Sequence, residues 1–494
     1  MKAAHGTAGE LDRMRGGSRA VRRLRSARTQ VYVTSVVAVL TACGREEVPS
    51  PVTELAATIA DSSGVTVLTL SHTLAEVAAG ETSFELIQPD LLVGETGDEH
   101  NVWFGALADV ASQGGGGFAV LDHLQAQVLV IDSAGRLVST LGREGDGPGE
   151  FREPWSLAAV GGALVVRQHD QARAFTVFRE GQLEAVAGAE PEGDWYAARF
   201  RWPRVRMSGF TTGPEDVTRR LQRFDSTSFI HMLQENELEE LNFVDPIEFH
   251  DGIPTVLIRY GLDGQVIDTV ANLSGPPTFV REVSAQSIFY VQPLFSARPV
   301  WTTGRGWYAT GHGDSTEVVV RGTGGDVLLR IRTPPRRSPV SEADRIEAAD
   351  WNTASTILTS MGARERMRSR GPSGPRRARE GTLSRILLFN ADSIPMITGA
   401  YGSGDCLFLS GFRPGDWQDG TSLTWVVIDV RAPALLRVIR LRPPPEGSLP
   451  DFPEFSQFGA AVRDFDRGFA FTFRRMADGA AAVERFPLPD RCGQ

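Results

Sequence analysis

The chain has 494 residues, 41% hydrophobic and 23% charged, with a formal net charge of −10. This is globular composition, enough for one large domain or two to three ordinary ones, and its 52 glycines and 29 prolines favour many turns over long helices. Lys2, Arg13, Arg15, Arg19, Arg22, Arg23, Arg25 and Arg28 stand near the start against only Glu10 and Asp12, so the rest is strongly acidic and excludes nucleic acid as a natural partner.

The first element is an export signal over residues 1–42. Arg22, Arg23, Arg25 and Arg28 precede VYVTSVVAVLTA, a short apolar run ending in small residues. The run falls short of the roughly 20 apolar residues that span a bilayer. Leu40-Thr41-Ala42-Cys43 resembles a bacterial lipobox. That resemblance implies cleavage before Cys43, lipid on its thiol, and a membrane partner reached through the anchor. An ordinary signal peptide or a buried N-terminal strand is the alternative. Arg22-Arg23 matches a twin-arginine signal only in part, because Leu24 and Arg25 fit that pattern badly. The export route, the start (Met1 or Met14) and the choice between inner and outer membrane stay open. Residues 43–63, polar with Pro49 and Pro51, read as a tether.

From residue 64 to 494 one pattern recurs. An alternating apolar strand meets a glycine turn and a second apolar strand: VLVIDSAGRLVSTL, FTVFREGQLEAVA, VLIRYGLDGQVIDTV and VVVRGTGGDVLLRI, turning at Gly135, Gly181, Gly264 and Gly325. Each reads as a hairpin. TWVVIDVRAPALLRVI is a looser copy, with Ala432 in the glycine position. Two more apolar strands precede most hairpins, so the unit is four antiparallel strands, the signature of a propeller blade. Six blades are expected, at about 101–141, 155–187, 196–272, 292–333, 393–440 and from about 455. The sixth lacks an outer strand, while GVTVLTLSHT (64–73) has no blade. The expectation is therefore an all-β six-bladed propeller in which Val65–Leu70 completes the last blade and closes the ring.

The stretch 132–151, DSAGRLVSTLGREGDGPGEF, carries five glycines and raises the question of a phosphate loop. Such loops need a helix N-terminus facing the anion and, in the Walker type, Gly-Lys-Ser/Thr. No lysine is present, and Pro148 and Pro154 flank a passage into the strand-like WSLAAV. The stretch instead resembles the crossing between blades in NHL-type propellers, on Gly142, Gly145, Gly147, Gly149, Phe151 and Pro154. The chain is similar overall to six-bladed propeller lipoproteins of bacteria. In that resemblance Asp122 matches the aspartate of the second-strand turn, whose job is to accept backbone N–H bonds.

Several groups are candidates for chemistry. His123, His169 and His312 each end a second strand, which suggests a metal ring. The second strand lies off the axis, and blades three, five and six offer no matching histidine. No G-x-S-x-G, H-E-x-x-H or Cys-His pattern appears, no cofactor is indicated, and no catalytic residue can be named. Two insertions, about 233–252 and 334–390, would emerge on the ligand face. The first is acidic, with Glu237 and Glu240; the second begins as a helix that Ser341 can cap and ends in a basic run with Arg366 and Arg370. They could pair as a lid, but charge runs are usually solvated. Cys406 and Cys492 fall on the opposite face of neighbouring blades and could form a disulfide. Trp103, Trp155, Trp202 and Trp301 lie near inner strands; they could stack sugars or peptides, although packing between blades is the commoner role. Together these point to a lipid-anchored extracytoplasmic module that binds a protein, peptide or glycan. A metal-dependent hydrolase or lyase at the axis is the alternative.

Overall fold

The computed structural model describes residues 57–79, 83–86, 88–94, 102–105, 107–152, 154–168, 175–187, 221–234, 248–250, 254–275, 278–284, 287–291, 295, 297–341, 392–411, 423–441, 462–466, 468–475 and 481–488. An N-terminal segment comprises β1 (Ala57–Ser62), β2 (Val65–Leu70), helix α1 (Leu74–Ala79), β3 (Ser83–Leu86) and β4 (Leu91–Val93). Blade one is β5 (Leu107–Gly114), β6 (Gly117–Asp122), β7 (Gln127–Ile131) and β8 (Leu137–Leu141). Blade two is β9 (Pro154–Val160), β10 (Ala163–Gln168), β11 (Phe175–Arg179) and β12 (Gln182–Ala187). Blade three is β13 (Gln222–Arg223), β14 (Ser228–Gln234) and, after the inserted β15 (Glu248–His250), β16 (Pro254–Gly261) and β17 (Val266–Ser274). Then come β18 (Thr278–Ser284) and β19 (Ser287–Val291), and blade four as β20 (Pro299–Gly304), β21 (Trp307–His312), β22 (Glu317–Gly322) and β23 (Val327–Arg332). Blade five is β24 (Gly399–Ser403), β25 (Cys406–Ser410), β26 (Leu423–Asp429) and β27 (Ala434–Leu441); blade six begins with β28 (Val462–Asp466), β29 (Phe469–Arg475) and β30 (Ala481–Pro487).

Within every blade consecutive strands pair antiparallel. The inner strands β5, β9, β13, β20, β24 and β28 touch in that order, and β28 returns to β5. The chain is thus an all-β six-bladed propeller. Its core is divided among the blade interfaces, where apolar faces of neighbouring sheets meet. Phe151 of the connection between blades one and two and Phe178 of blade two pack with Leu121 and Val128 of blade one, for example, and Phe465 of blade six stacks on Phe408 of blade five at 4.1 Å.

Local chemistry explains the turns. Asp132 Oδ1 accepts the N–H groups of Ala134 and Arg136, while Gly135 takes φ +85°, a left-handed value that costs glycine little. Gly181, Gly264 and Gly325 do the same in their hairpins. In the looser copy Asp429 Oδ1 accepts from Arg431 and Ala432 instead. The crossing 142–151 is a compact loop and not an anion cradle. Phe151 is fully buried and lies where a side chain on Gly142 would stand, 2.2 Å from the position of its Cβ.

Closure differs from the expectation. Val65–Leu70 does not join the last blade: β2 lies parallel to β23, on the outer edge of blade four. β3 adds in the same way to β27 of blade five. The strand that completes blade six is β4, antiparallel to β30 with Val93 opposite Val483. The physical reason is sequence order. The segment passes along the outer edges of blades four, five and six before entering blade one, so only its last strand can supply the missing edge. Part of the stretch read as tether, 57–62, is β1, paired with β2. Thr73 and Glu76 cap α1 reciprocally, N–H to side chain in both directions, and Leu74 and Val77 seal the core between blades four and five.

Arg485 locks this closure. From β30 its guanidinium makes two bonds to the Asp90 carboxylate, 3.0 and 2.8 Å, and donates to the carbonyls of Gly116 and Ser133 in blade one. It also lies 4.7 Å from the Phe469 ring centroid. One side chain therefore joins blade six, the closing segment and blade one.

Candidate functional site

Antiparallel order puts the turns between second and third strands, and the connections between blades, on one face of the ring. Both insertions arise there: one between β14 and β16 of blade three, the other between β23 and β24. β15 pairs with β18, and β18 with β19, making a three-stranded sheet from two segments that leave this face.

The best-defined part of the face lies at the mouths of blades one and two. Asp122, fully buried, ends β6. Its Oδ1 accepts the N–H groups of Leu124 and Gln125, both at 3.1 Å. Its Oδ2 accepts the Gly105 N–H at 2.6 Å and the Gln125 amide at 2.8 Å. The expected turn acceptor is present, and it also binds the segment leading into β5. The Gln125 amide reaches on to the Trp103 carbonyl at 3.4 Å, and the Gln127 amide donates to Gln125 Oε1. His123 Nδ1 is 3.0 Å from the Pro154 carbonyl. A carbonyl only accepts, so the Nδ1 N–H is the donor. The same imidazole leans on Trp155, with ring centroids 5.9 Å apart.

Three large apolar side chains in and next to this turn are exposed. Trp103 is 62% exposed, Trp155 50% and Leu124 47%. Trp155 is the second residue of an inner strand, at the mouth of the central opening. Packing between blades, the commoner role for such tryptophans, holds for Trp301, which is buried, and not for Trp103 or Trp155. Trp202 lies outside the described residues.

The other candidates are not brought to this site. His312 ends β21 in blade four; its Nδ1 accepts from the Asp314 N–H at 3.4 Å. Burial lowers its pKa, Asp314 opposes that shift and Arg337 adds to it. Cys43, Cys492, His169, Glu237, Glu240, Arg366 and Arg370 lie outside the described residues, as do the helix after Ser341 and the export signal. Among the described residues no group of three His, Cys, Asp or Glu side chains is placed to hold a metal ion, and no helix is long and apolar enough to cross a membrane. Cys406 is buried between blades five and six and is disulfide-bonded.

One buried titratable group had no sequence signal. His231, on β14, lies among Phe175 and Tyr260, with ring centroids 5.6 and 6.4 Å away. Burial pushes its pKa well below the usual value, and Arg167 adds to the shift. Only the general rule that a lone polar residue in an apolar strand is buried could have flagged it.

Fold and face together define a closed six-bladed propeller with exposed tryptophans, Trp103 and Trp155, on the loop face. No protein-family model matches the sequence, and no curated protein matches it. Among solved structures, it is similar to a Bacteroides fragilis protein described as exported, at 9% identity over 83% of this chain and 99% of that one, with a TM-score of 0.37. A streptogramin B lyase matches at 8% identity over 78% and 94% of the two chains, TM-score 0.32. A luciferin-regenerating enzyme matches at 8% identity over 82% and 98%, TM-score 0.34. Likeness this distant carries none of those activities to this chain.

Proposed function

We propose that the protein is a lipid-anchored, extracytoplasmic binding module that recognises its ligand on the loop face. Lipid on Cys43 holds the molecule at a membrane of the cell envelope, and the residues between Cys43 and β1 link anchor to ring. Nucleic acid is not a partner, given the acidic body. The observation that carries the reading is the exposure of three large apolar side chains, Trp103, Leu124 and Trp155, around the hydrogen-bonded Asp122 turn and the start of β9.

The disulfide belongs to the same reading. Cys43 uses its sulfur for lipid, which leaves Cys492 as the partner of Cys406. Leu488 shares the core of blades five and six with Cys406. Cys492 stands four residues further on, a reach of about 13 Å. A structural disulfide fits an oxidising compartment outside the cytoplasm.

The test uses the full chain in intact envelopes. A photo-crosslinking residue replacing Leu124 should form adducts that one replacing Val138, exposed on the outer strand of blade one, does not. Cys43→Ser should release the protein from the membrane fraction. Equal labelling at both positions would remove the binding face, and membrane retention of Cys43→Ser would remove the anchor.

A further inference from the structure

We propose that β17, the outer strand of blade three, takes a further strand from a partner polypeptide along its outward edge. This site lies on the rim of the ring and is independent of the loop face.

The first observation is a position that recurs in the outer strands. Each carries one residue that the pairing register skips: Val138 in β8, Glu184 in β12, Ile267 in β17, Leu328 in β23 and Leu436 in β27. Such a bulge turns a side chain out of the ladder. In blades four and five the N-terminal segment shelters it. Leu328 packs against the core that holds Leu68 and Leu70 of β2, and Leu436 against the core that holds Leu86 of β3. Ile267 occupies the same place in blade three and is 49% exposed, beside exposed Val266.

The second is the length of edge beyond the bulge. β2 pairs with Leu329–Arg332 of β23, and β3 with Val438–Leu441 of β27, four residues in each case. After its bulge β8 keeps only Ser139–Leu141, and β12 only Ala185–Ala187, one residue short of that ladder. β17 runs on through Asp268–Ser274. Its last four residues, Ala271–Ser274, stay in unbroken register with β16 after a second bulge at Val270. Among the described residues β17 ends its sheet. Proteins blunt such edges with short strands, prolines or charges. β17 is nine residues long and contains no proline or lysine. Its single charged side chain, Asp268, is held by Arg259 of β16 at 2.7 Å.

The third observation selects the occupant. Val270, Ala271 and Leu273 of β17 pack on a core that includes Trp301 and Tyr308 of blade four, whose outer strand carries β2. The β17 edge therefore continues the part of the rim that already receives strands. Both strands received there run parallel to the outer strand of their blade and bring buried apolar side chains, Leu68 and Leu70 from β2 and Leu86 from β3. Two copies of this chain joined about a two-fold axis would pair β17 with itself antiparallel. The occupant is thus an extended segment of another protein, with apolar residues two apart as in β2. Backbone bonds hold it, and Val266 and Ile267 receive its side chains.

The test adds a fluorescent peptide of the β2 sequence, Gly64–Ser71 with a lysine tail, to the full chain and follows anisotropy. Saturable binding is expected at up to about 1 mM. Ile267→Lys and Thr269→Lys should each weaken it at least tenfold, Ile267→Leu should keep it, and Val138→Lys should leave it unchanged. All four variants should hold the parent's unfolding midpoint within a few degrees, because each site is exposed. A photoreactive group on the peptide should label residues 266–274. No binding, binding that ignores both β17 lysines, or label confined to another strand overturns the proposal. So does sedimentation of the full chain as a dimer that Ile267→Lys dissolves, because the edge would then meet a second copy.

Discussion

Replacing Arg485 with methionine should open the seam of the ring. The substitution keeps a long apolar stem and removes the guanidinium. Three acceptors then lose their donor: the Asp90 carboxylate and the carbonyls of Gly116 and Ser133. Breaking a fully buried ion pair costs about 3–5 kcal/mol. Here the Arg485 side chain is 8% exposed and that of Asp90 35%, so water relieves the abandoned carboxylate in part. The two carbonyls add about 1 kcal/mol each where they stay dry. The expected loss is about 3 kcal/mol, or about 3 °C in a chain of this size. Calorimetry or urea unfolding measures it. Arg136→Met is the control, since that side chain is 76% exposed and its pair with Asp132 is a surface one, worth under about 1 kcal/mol. Asp90→Asn completes a double-mutant cycle, with coupling of at least about 1 kcal/mol expected. If Arg485→Met falls within about 1 °C of the Arg136 control, Arg485 does not hold the seam.

Three further outcomes follow from the geometry. Gly142→Ala should cost at least about 2 kcal/mol, from left-handed strain plus collision with the Phe151 ring; Gly162→Ala, at a similar φ with open space around it, should show the strain alone, about 1 kcal/mol. Stability should fall as pH drops below about 6.5, because the unfolded chain takes a proton that buried His231 resists in the fold; His231→Leu should flatten that slope, with His312 supplying the remainder in the same direction. A non-reducing peptide map should join the peptides of Cys406 and Cys492, and reduction should cost about 2–4 kcal/mol; a map that joins Cys406 to Cys43 would contradict both the pairing and the lipid anchor.

The parts of the fold that obey local rules were readable from the residues. Hairpins at Gly135, Gly181, Gly264 and Gly325 need positive φ, and glycine announces it. The sixth blade reads as unfinished because AAAVERFPLP is the last strand-like stretch of the sequence given. Which strand finishes it was not readable. β2 alternates strongly as VTVLTL, yet it is an added edge on blade four, whereas β4 is only three residues long and has no period to detect. Edge pairing over such distances is decided by path length along the rim, which pattern alone does not encode. The site was half legible. Asp122 followed from turn chemistry, but its bond to Gly105 joins segments 17 residues apart. Trp155 stands second and Trp301 third in an inner strand, and one is half-exposed while the other is buried. Where a strand meets its neighbours decides that, and a shift of one residue reverses it.

Closure of the ring by β4 is the claim on which the position of the loop face depends, and a pair of near-isosteric substitutions tests it. Val93 and Val483 are register partners, both buried in the core of blades six and one. Val93→Cys with Val483→Cys should oxidise to a disulfide that links the N- and C-terminal peptides in the folded protein. Val67→Cys with Val483→Cys should stay unlinked, since Val67 lies opposite Arg330 on blade four. A link in the second pair and none in the first would contradict the closure described.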